Sequence, residues 1–424
     1  METFINNSPK KEFFFFLILA LFFNIPQSLS EEVFLSSKNF NTAELRYESP
    51  EKMLVKSLVE ISEGRLDIAL ETIDTLIKQT PNFKLAYLIQ GDLLLAHAKQ
   101  ISGIGDEHKS EKKEEIENFK NEAKVRIERY LNSLNLQNEP SLNLQNEPKI
   151  FAQLNEKDKY LFYVDAVNSR LYLYENINGK LTYKDDYYVS IGKNGFGKQY
   201  EGDKKTPVGV YFTGKKIKES LSDFYGDAAY PLSYPNEIDR KNKRNGSGIW
   251  LHGTPKTTYN RPPLASDGCI VLSNPDLMKL SSFLDTNKIP VIISFRSLKD
   301  LEYANKNLTE KKLSLVNAIE TWRKNWEDQD TDNYLKFYSK NFFSEKDNFD
   351  TWAERKKLIQ SQKAKVSVRL SEISFFDYPN TENEIVLVDF IQDYKSPTIM
   401  NKMNKRQYWI NENNEWRIMY EGGA

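Results

Sequence analysis

The chain has 424 residues, more than one hydrophobic core usually serves, so two or three domains are expected. Its 59 basic and 60 acidic residues leave a formal net charge of −1 and are spread along the whole length. This balance gives no electrostatic footprint for nucleic acid, so a nucleic-acid partner is not expected.

The N-terminal segment, residues 1–30, has the outline of a secretory signal peptide. Two lysines precede the apolar run 13–23, and small residues follow up to Ser30. The run is shorter than the about 20 apolar residues of a membrane span, so cleavage is favoured over a stable transmembrane anchor. The sequence therefore predicts an exported protein of the periplasm and cell envelope.

Residues 48–132 have the periodicity of helices. Apolar residues recur at helical spacing, Gly64 separates the first two helices, and Pro81 ends the second. The spacing of the small residues resembles a tetratricopeptide repeat, in which paired helices pack closely. Such a short array predicts either a supporting bundle or a groove that binds a protein partner.

A polar segment over residues 133–157 is predicted to be a linker. Within it the peptide SLNLQNEP occurs twice in tandem, over 133–148, and each copy ends in proline. From residue 158 to residue 297 the pattern becomes the alternation of antiparallel strands, which predicts a β-rich domain.

Residues 309–424 are predicted to form an α+β domain, in which helices pack into a curved sheet. The region resembles the nuclear-transport-factor-like cone domains. Phe390, Gln392, Tyr394 and Trp409 are expected near the concave face. These side chains suit both an aromatic core and a ligand pocket, and the residues alone leave both open.

The chain has a single cysteine, Cys269, which cannot form an intramolecular disulfide. His252 lies 17 positions upstream, a separation that allows the two side chains to meet across a loop. An imidazole that accepts the thiol proton makes cysteine a competent nucleophile. The backbone carbonyl of Gly253 is expected to hold the ring, and the amides of Gly268 and Cys269 are expected to face a developing oxyanion.

The three histidines and one cysteine of the chain are scattered without metal-ligand spacing. Neither a metal nor any other cofactor is expected.

Three separated motifs then resemble a known catalytic domain. TPVGVY at 206–211, HG at 252–253 and SDGC at 266–269 are similar in order and spacing to the YkuD-type domain of the L,D-transpeptidases. The resemblance covers residues 158–297 and implies a β-rich fold with a triad of cysteine, histidine and a backbone carbonyl.

The resemblance also implies roles for individual residues. Cys269 would be the nucleophile, His252 the general base and acid, Gly253 the orienting carbonyl and Ser266 a supporting hydrogen bonder. The implied substrate is a peptidoglycan stem tetrapeptide. Cys269 would form a thioester with it, release the terminal D-alanine and pass the acyl group to an amine.

Two positions depart from many members of that family. Asp267 stands where they have histidine, and Val271 stands where they have arginine. Substrate contacts are therefore expected from other polar side chains as well. The candidate substrate-binding residues are Arg261, Tyr234, Asn236, Asp239 and Asp267.

The three-part layout also resembles the cell-shape L,D-carboxypeptidases of curved bacteria, which use the same triad but pass the acyl group to water. Transfer to an amine is the leading hypothesis, and trimming of tetrapeptides to tripeptides is the alternative, because fold does not decide between them. A third hypothesis is a non-catalytic scaffold that binds the cell wall, but a scaffold needs no activated thiol.

Overall fold

A computed structural model describes residues 49–96, 105, 112–138, 150–219, 221–285, 288–298, 300–301, 307–362, 365–379 and 381–424. The predicted signal peptide and most of the tandem SLNLQNEP segment lie outside these residues. Within the described ranges, no helix has both the length and the apolar character to cross a membrane.

The described N-terminal residues form a helical layer. Ser49 caps its first helix by accepting a hydrogen bond from the backbone N–H of Lys52, and a positive φ of 74° at Gly64 allows the turn into the second helix. The last helix contacts the first and the third. The helices are α1 (Pro50–Ser62), α2 (Leu66–Gln79), α3 (Lys84–Ala96) and α4 (Lys113–Asn138).

Both ends of the predicted linker differ from the structure. Helix α4 continues to Asn138, so a linker that begins at residue 133 is wrong; proline, which would end the helix, first occurs at Pro140. At the other end, strand β1 (Ala152–Gln153) pairs with a strand of the C-terminal domain, and Phe151 is buried. Residues 152–153 therefore belong to a sheet, so a linker that extends to residue 157 is wrong.

The central domain is built on a five-stranded sheet within the described residues, in the order β4–β3–β2–β11–β6. Strands β2, β3 and β4 form an antiparallel meander, and β11 runs parallel to β2 and antiparallel to β6. The strands are β2 (Tyr160–Asp165), β3 (Arg170–Ile177), β4 (Lys180–Tyr188), β6 (Gly209–Phe212) and β11 (Pro290–Ser294).

A smaller sheet beside it carries the residues of the HG and SDGC motifs. Its described strands lie in the order β10–β8–β7, with β10 parallel to β8 and β7 antiparallel to it. They are β7 (Ala229–Pro231), β8 (Trp250–His252) and β10 (Ile270–Val271). Around them lie the parallel pair β5 (Ile191–Gly192) and β9 (Leu264–Ser266), a 3-10 helix (Asp223–Tyr225), α5 (Glu237–Lys241) and α6 (Asn274–Leu284).

The C-terminal domain wraps a curved sheet around helices. The strand order is β1–β13–β14–β15–β16–β12. Its own strands are β12 (Tyr338–Phe343), β13 (Ser367–Asp377), β14 (Ile385–Lys395), β15 (Met400–Glu412) and β16 (Glu415–Gly423). Its helices are α7 (Leu308–Glu327), α8 (Thr331–Leu335) and α9 (Phe349–Gln360).

Three of the four residues predicted near the concave face of this domain pack their rings against its helices. Phe390 and Trp409 are buried in one aromatic cluster, and Gln392 is buried as well. Tyr394 is half-buried and stacks on the ring of Trp326 at 5.6 Å between centroids. These contacts give the face an aromatic core.

Candidate active site

His252 lies on one strand of the small sheet, and Cys269 lies next to the beginning of the neighbouring strand. His252 ends β8, and Cys269 directly precedes β10, its parallel neighbour. The register places Val271 opposite His252. Continuing the alternation of β10 back by one residue places Cys269 on the same face as Val271 and the imidazole.

The thiol of Cys269 is held by two backbone groups. The N–H of Trp250 donates to Sγ at 3.4 Å, and Sγ donates to the carbonyl oxygen of Gly248 at 3.3 Å. Burial raises the pKa of the Cys269 thiol to about 11, although the Trp250 amide and the charge of Arg261 favour the thiolate. In the free protein the sulfur is therefore a protonated thiol at neutral pH.

The imidazole of His252 is oriented by the chain itself. Its Nδ1 lies 2.7 Å from the carbonyl oxygen of Gly253. A carbonyl oxygen can only accept, so Nδ1 carries the proton and Nε2 is left as an acceptor in the neutral ring. Burial lowers the pKa of His252 to about 4, against the opposing contact with Gly253. The ring is a neutral base at physiological pH.

Position 253 accepts only glycine unless the neighbouring side chain or the backbone moves. A Cβ atom there would lie 2.0 Å from Oδ1 of Asn274, which accepts a hydrogen bond from the backbone N–H of Thr254. The N–H of Gly253 donates to the carbonyl oxygen of Tyr225 at 3.0 Å. The Tyr225 ring also contacts the His252 ring edge-to-face at 5.2 Å. The roles of Asn274 and Tyr225 were not predicted.

Ser266 fixes the SDGC turn. Its hydroxyl donates to the carbonyl oxygen of Cys269 at 2.6 Å and accepts from the N–H of Gly268 at 3.1 Å. The prediction that the Gly268 amide faces an oxyanion is therefore wrong, because that N–H is already bonded within the turn. Gly268 itself has a φ of 125°, and a Cβ there would lie 2.8 Å from the carbonyl oxygen of Lys205.

Thr206 connects this turn to the glycine-rich loop and was not predicted as a site residue. Its side chain is fully buried. The hydroxyl donates to the carbonyl oxygen of Gly268 at 3.0 Å and accepts from the N–H of Gly192 at 2.9 Å. Thr206 is the first residue of the TPVGVY motif. The motif indicated a resemblance to a family, but it did not predict these hydrogen bonds.

Of the candidate substrate-binding residues, Arg261 packs on Phe224, whose ring lies 6.2 Å from the ring of His252. Its guanidinium lies 4.2 Å above the Phe224 ring and donates to the Phe224 carbonyl oxygen at 2.9 Å. The positive charge of Arg261 lowers the pKa of both Cys269 and His252. Burial lowers the pKa of Arg261, while the neighbouring Cys269 and Asp267 raise it.

Asp267 lies at the exposed rim of the site. Its carboxylate forms an ion pair with Lys193 at 3.3 Å, and both side chains are more than half exposed. The structure thus leaves this carboxylate accessible to a ligand.

The other three candidates, Tyr234, Asn236 and Asp239, are buried, and their prediction as substrate contacts is wrong. The Tyr234 hydroxyl donates to the carbonyl oxygen of Asn245 at 3.0 Å. Asn236 and Asp239 form the capping box of α5, and Asp239 also accepts from the Tyr211 hydroxyl at 2.9 Å. A polar sequence that was interpreted as an exposed loop is a helix cap facing the interior.

Family models match two regions of the chain. Residues 159–293 match the YkuD model, described as the L,D-transpeptidase catalytic domain. Residues 314–422 match the Cds6 C-terminal NTF2-like domain. Among curated proteins, none matches the chain significantly.

Solved structures resemble the chain over most of its length. Pgp2 from Campylobacter jejuni, described as a helical cell shape determining protein, is 26% identical with a TM-score of 0.55, over 66% of this chain and 96% of Pgp2. A point mutant of Pgp2 gives 26% identity and a TM-score of 0.58, over 65% and 94%. Bd1075 from Bdellovibrio bacteriovorus gives 26% and 0.53, over 65% and 97%.

These matches confirm the predicted fold class of N-terminal helices, a central β-rich domain and a C-terminal α+β cone. The chain contains a YkuD-type L,D-transpeptidase catalytic domain followed by an NTF2-like domain.

Proposed function

We propose that this protein is an exported, periplasmic peptidoglycan L,D-transpeptidase that acts through a thioester on Cys269. The observation that carries the proposal is the neutral imidazole of His252, held at Nδ1 by the Gly253 carbonyl oxygen and sharing a sheet face with the thiol. Nε2 is thereby available to take the thiol proton.

The reaction begins on the stem tetrapeptide. Nε2 of His252 accepts the proton of Cys269, and Sγ attacks the carbonyl carbon of the third stem residue. The bond from that carbon to the nitrogen of the terminal D-alanine breaks, and the imidazolium returns its proton to the leaving amine. A thioester and free D-alanine result.

An amine then resolves the thioester. The acceptor nitrogen attacks the same carbonyl carbon, gives a proton to His252 and displaces the Cys269 sulfur, which regains a proton. The acceptor is an amine of a neighbouring stem peptide, which gives a cross-link, or a free D-amino acid, which gives an exchange product.

The likeness to Pgp2, described as a helical cell shape determining protein, supports a second candidate function. In this alternative, water resolves the thioester, and the enzyme is an L,D-carboxypeptidase that trims tetrapeptides to tripeptides for cell-shape control. The same thiol and imidazole serve both outcomes.

Mass spectrometry of a purified disaccharide tetrapeptide, incubated with the full chain with and without a D-amino acid, separates the candidates. Exchange products support transfer, and tripeptide alone in both incubations supports trimming. The Cys269→Ala variant is the control. Turnover by the wild-type chain that equals turnover by this variant contradicts both functions, as does failure of a carbapenem to acylate Cys269.

A further inference from the structure

A cleft of about 1010 Å³ lies between the helical layer and the catalytic domain. Lys84 of α3 and Asn118 and Phe119 of α4 line one wall, together with Lys112, which precedes α4. Phe224 and Arg261 line the opposite wall. The cleft is therefore not a feature of the catalytic domain alone.

The catalytic wall of the cleft adjoins the thiol and imidazole. The ring of Phe224 lies 6.2 Å from the ring of His252. The Arg261 guanidinium stacks on Phe224, and its positive charge lowers the pKa of Cys269. The cleft, through Phe224 and Arg261, therefore adjoins the place where the scissile carbonyl of a bound peptide would meet Cys269.

The cleft carries an excess of positive charge. Two carboxylates, Glu114 and Glu115, line it at the beginning of α4. The cations outnumber them among the described lining residues, and they come from both walls. They are Lys84, Lys112, Lys193, Lys204 and Arg261, of which Lys193 is paired with Asp267 at the rim. A surface of this charge attracts an acidic ligand.

The helical wall is fixed to the active-site segment by buried contacts. Tyr259 packs into the core of the helical layer, with its ring 4.8 Å from that of Phe83. The next residue, Asn260, donates to the carboxylate of Glu122 on α4. The guanidinium of Arg126, also on α4, lies 3.7 Å above the ring of Tyr188.

Tyr188 completes the connection to Arg261. Its hydroxyl donates to the carbonyl oxygen of Arg261 at 3.0 Å, and the hydroxyl of Ser190 donates to the same oxygen at 2.8 Å. These contacts connect helix α4 to the Arg261 segment. They therefore fix the distance between the two walls of the cleft.

We propose that this cleft binds the acyl-donor peptide and that the helical layer is its second wall. Lys84 and Lys112 bind carboxylates of an acidic stem peptide, while Arg261 holds the part of the peptide next to Cys269. The identity of the ligand rests on the proposed function. In this arrangement the helices, which carry none of the catalytic residues, contribute to substrate specificity.

Charge reversal on the helical wall tests the proposal. Both lysines are exposed, so the full chain with Lys84→Glu and Lys112→Glu should fold. We expect the KM for the tetrapeptide to rise about three- to tenfold, with a weaker dependence on salt and kcat within about twofold of wild type. The alkylation rate of Cys269 by iodoacetamide, which needs no cleft, should be unchanged.

Lys78→Glu is the matched control, because Lys78 is exposed in the last turn of α2 and does not line the cleft. An unchanged KM in the double variant, or an equal rise with Lys78→Glu, would overturn the proposal.

A binding measurement separates this proposal from the proposed function. Anisotropy of a fluorescein-labelled stem tetrapeptide, measured on the full chain with Cys269→Ala, requires no turnover. Weaker binding after reversal of Lys84 and Lys112 supports the cleft even if the wild-type chain shows no turnover. Normal turnover with unaltered binding after the same reversal overturns the cleft and leaves the function standing.

Discussion

The Nδ1 atom of His252 lies 2.7 Å from the carbonyl oxygen of Gly253, its neighbour in the chain. The orienting group of the imidazole is thus a main-chain atom, whose position depends on the path of the chain through residue 253. That path is restrained by Asn274, which contacts the backbone on the far side of the glycine.

Gly253→Ala should therefore lower kcat/KM without removing any catalytic group. The new Cβ would meet Oδ1 of Asn274 at 2.0 Å, so the carbonyl at 253 must shift, and a displacement of this size costs about 10- to 100-fold. Steady-state kinetics on the tetrapeptide provide the measurement. Adding Asn274→Ala removes the obstructing atom and should restore part of the activity; no recovery would contradict this explanation.

The pH dependence of the reaction should be broad. The pKa of His252 is lowered to about 4 and that of Cys269 is raised to about 11, so the neutral imidazole and the protonated thiol coexist between these values. We expect kcat/KM to fall as pH drops towards 4, where His252 takes a proton, and to be flat through neutral pH.

Alkylation of Cys269 by iodoacetamide gives a second measurement of the same pair. Its rate should keep rising with pH towards 11, because the thiolate is the nucleophile. A rate that is already at its plateau near neutral pH would instead indicate a thiolate–imidazolium pair.

Thr206→Val should destabilise the protein and reduce turnover. Valine has nearly the same shape but leaves the buried N–H of Gly192 and the carbonyl oxygen of Gly268 without the hydroxyl, at a cost of about 1–3 kcal/mol. Urea unfolding measures the loss. Thr206→Ser keeps the hydroxyl and serves as the control; equal stability of the two variants would rule out a role for these hydrogen bonds.

Asp239→Asn should reduce stability but leave substrate affinity unchanged. The carboxylate accepts from the Tyr211 hydroxyl and forms an ion pair with Arg244 at 3.1 Å, all inside the domain. We expect about 1–3 kcal/mol lower free energy of unfolding and a wild-type KM for the tetrapeptide. A raised KM in a variant of wild-type stability would show that Asp239 contacts substrate after all.

Asp186→Asn should lower the free energy of unfolding at neutral pH and make that free energy less dependent on pH in acid. Burial alone would raise the pKa of Asp186, but the charges of Arg129 and Arg170 lower it to about 2. Stability from this carboxylate is therefore present above about pH 4 and is lost as pH falls towards 2, an effect of about 2 kcal/mol.

Unfolding of wild type and variant at pH 7 and pH 3 measures this difference, which should narrow at the lower pH. The exposed neighbour Asp185 supplies the control variant Asp185→Asn. A constant difference between pH 7 and pH 3 would mean that the charge of Asp186 does not stabilise the fold.

The sequence was most informative where residue types were rare and their order was restrictive. Cys269 and His252 could be paired because the chain offers one cysteine and few histidines, and because an HG and an SDGC motif surround them. The fold class could be predicted from the change between helical and alternating patterns.

The sequence was least informative where a role depends on a contact between distant segments. Nothing local to Thr206 indicates that its hydroxyl bonds to residues 14 positions upstream and 62 positions downstream. Asn236 and Asp239 have the composition of an exposed loop, but their hydrogen bonds in the structure show that they cap a helix, and both are buried. Tertiary packing determines the role of such residues, and local patterns in a single sequence do not reveal that packing.

Strand β1 precedes the catalytic domain in the chain but belongs to the sheet of the C-terminal domain. Ala152 and Gln153 pair with Phe376 and Phe375, and the ring of Phe151 packs against Phe375 in the core of the NTF2-like domain. A gene segment that starts after the catalytic domain would encode this domain with a missing edge strand and an open sheet edge, a known route to aggregation. An excised or grafted NTF2-like domain would therefore keep its complete sheet only if residues 151–153 were supplied with it.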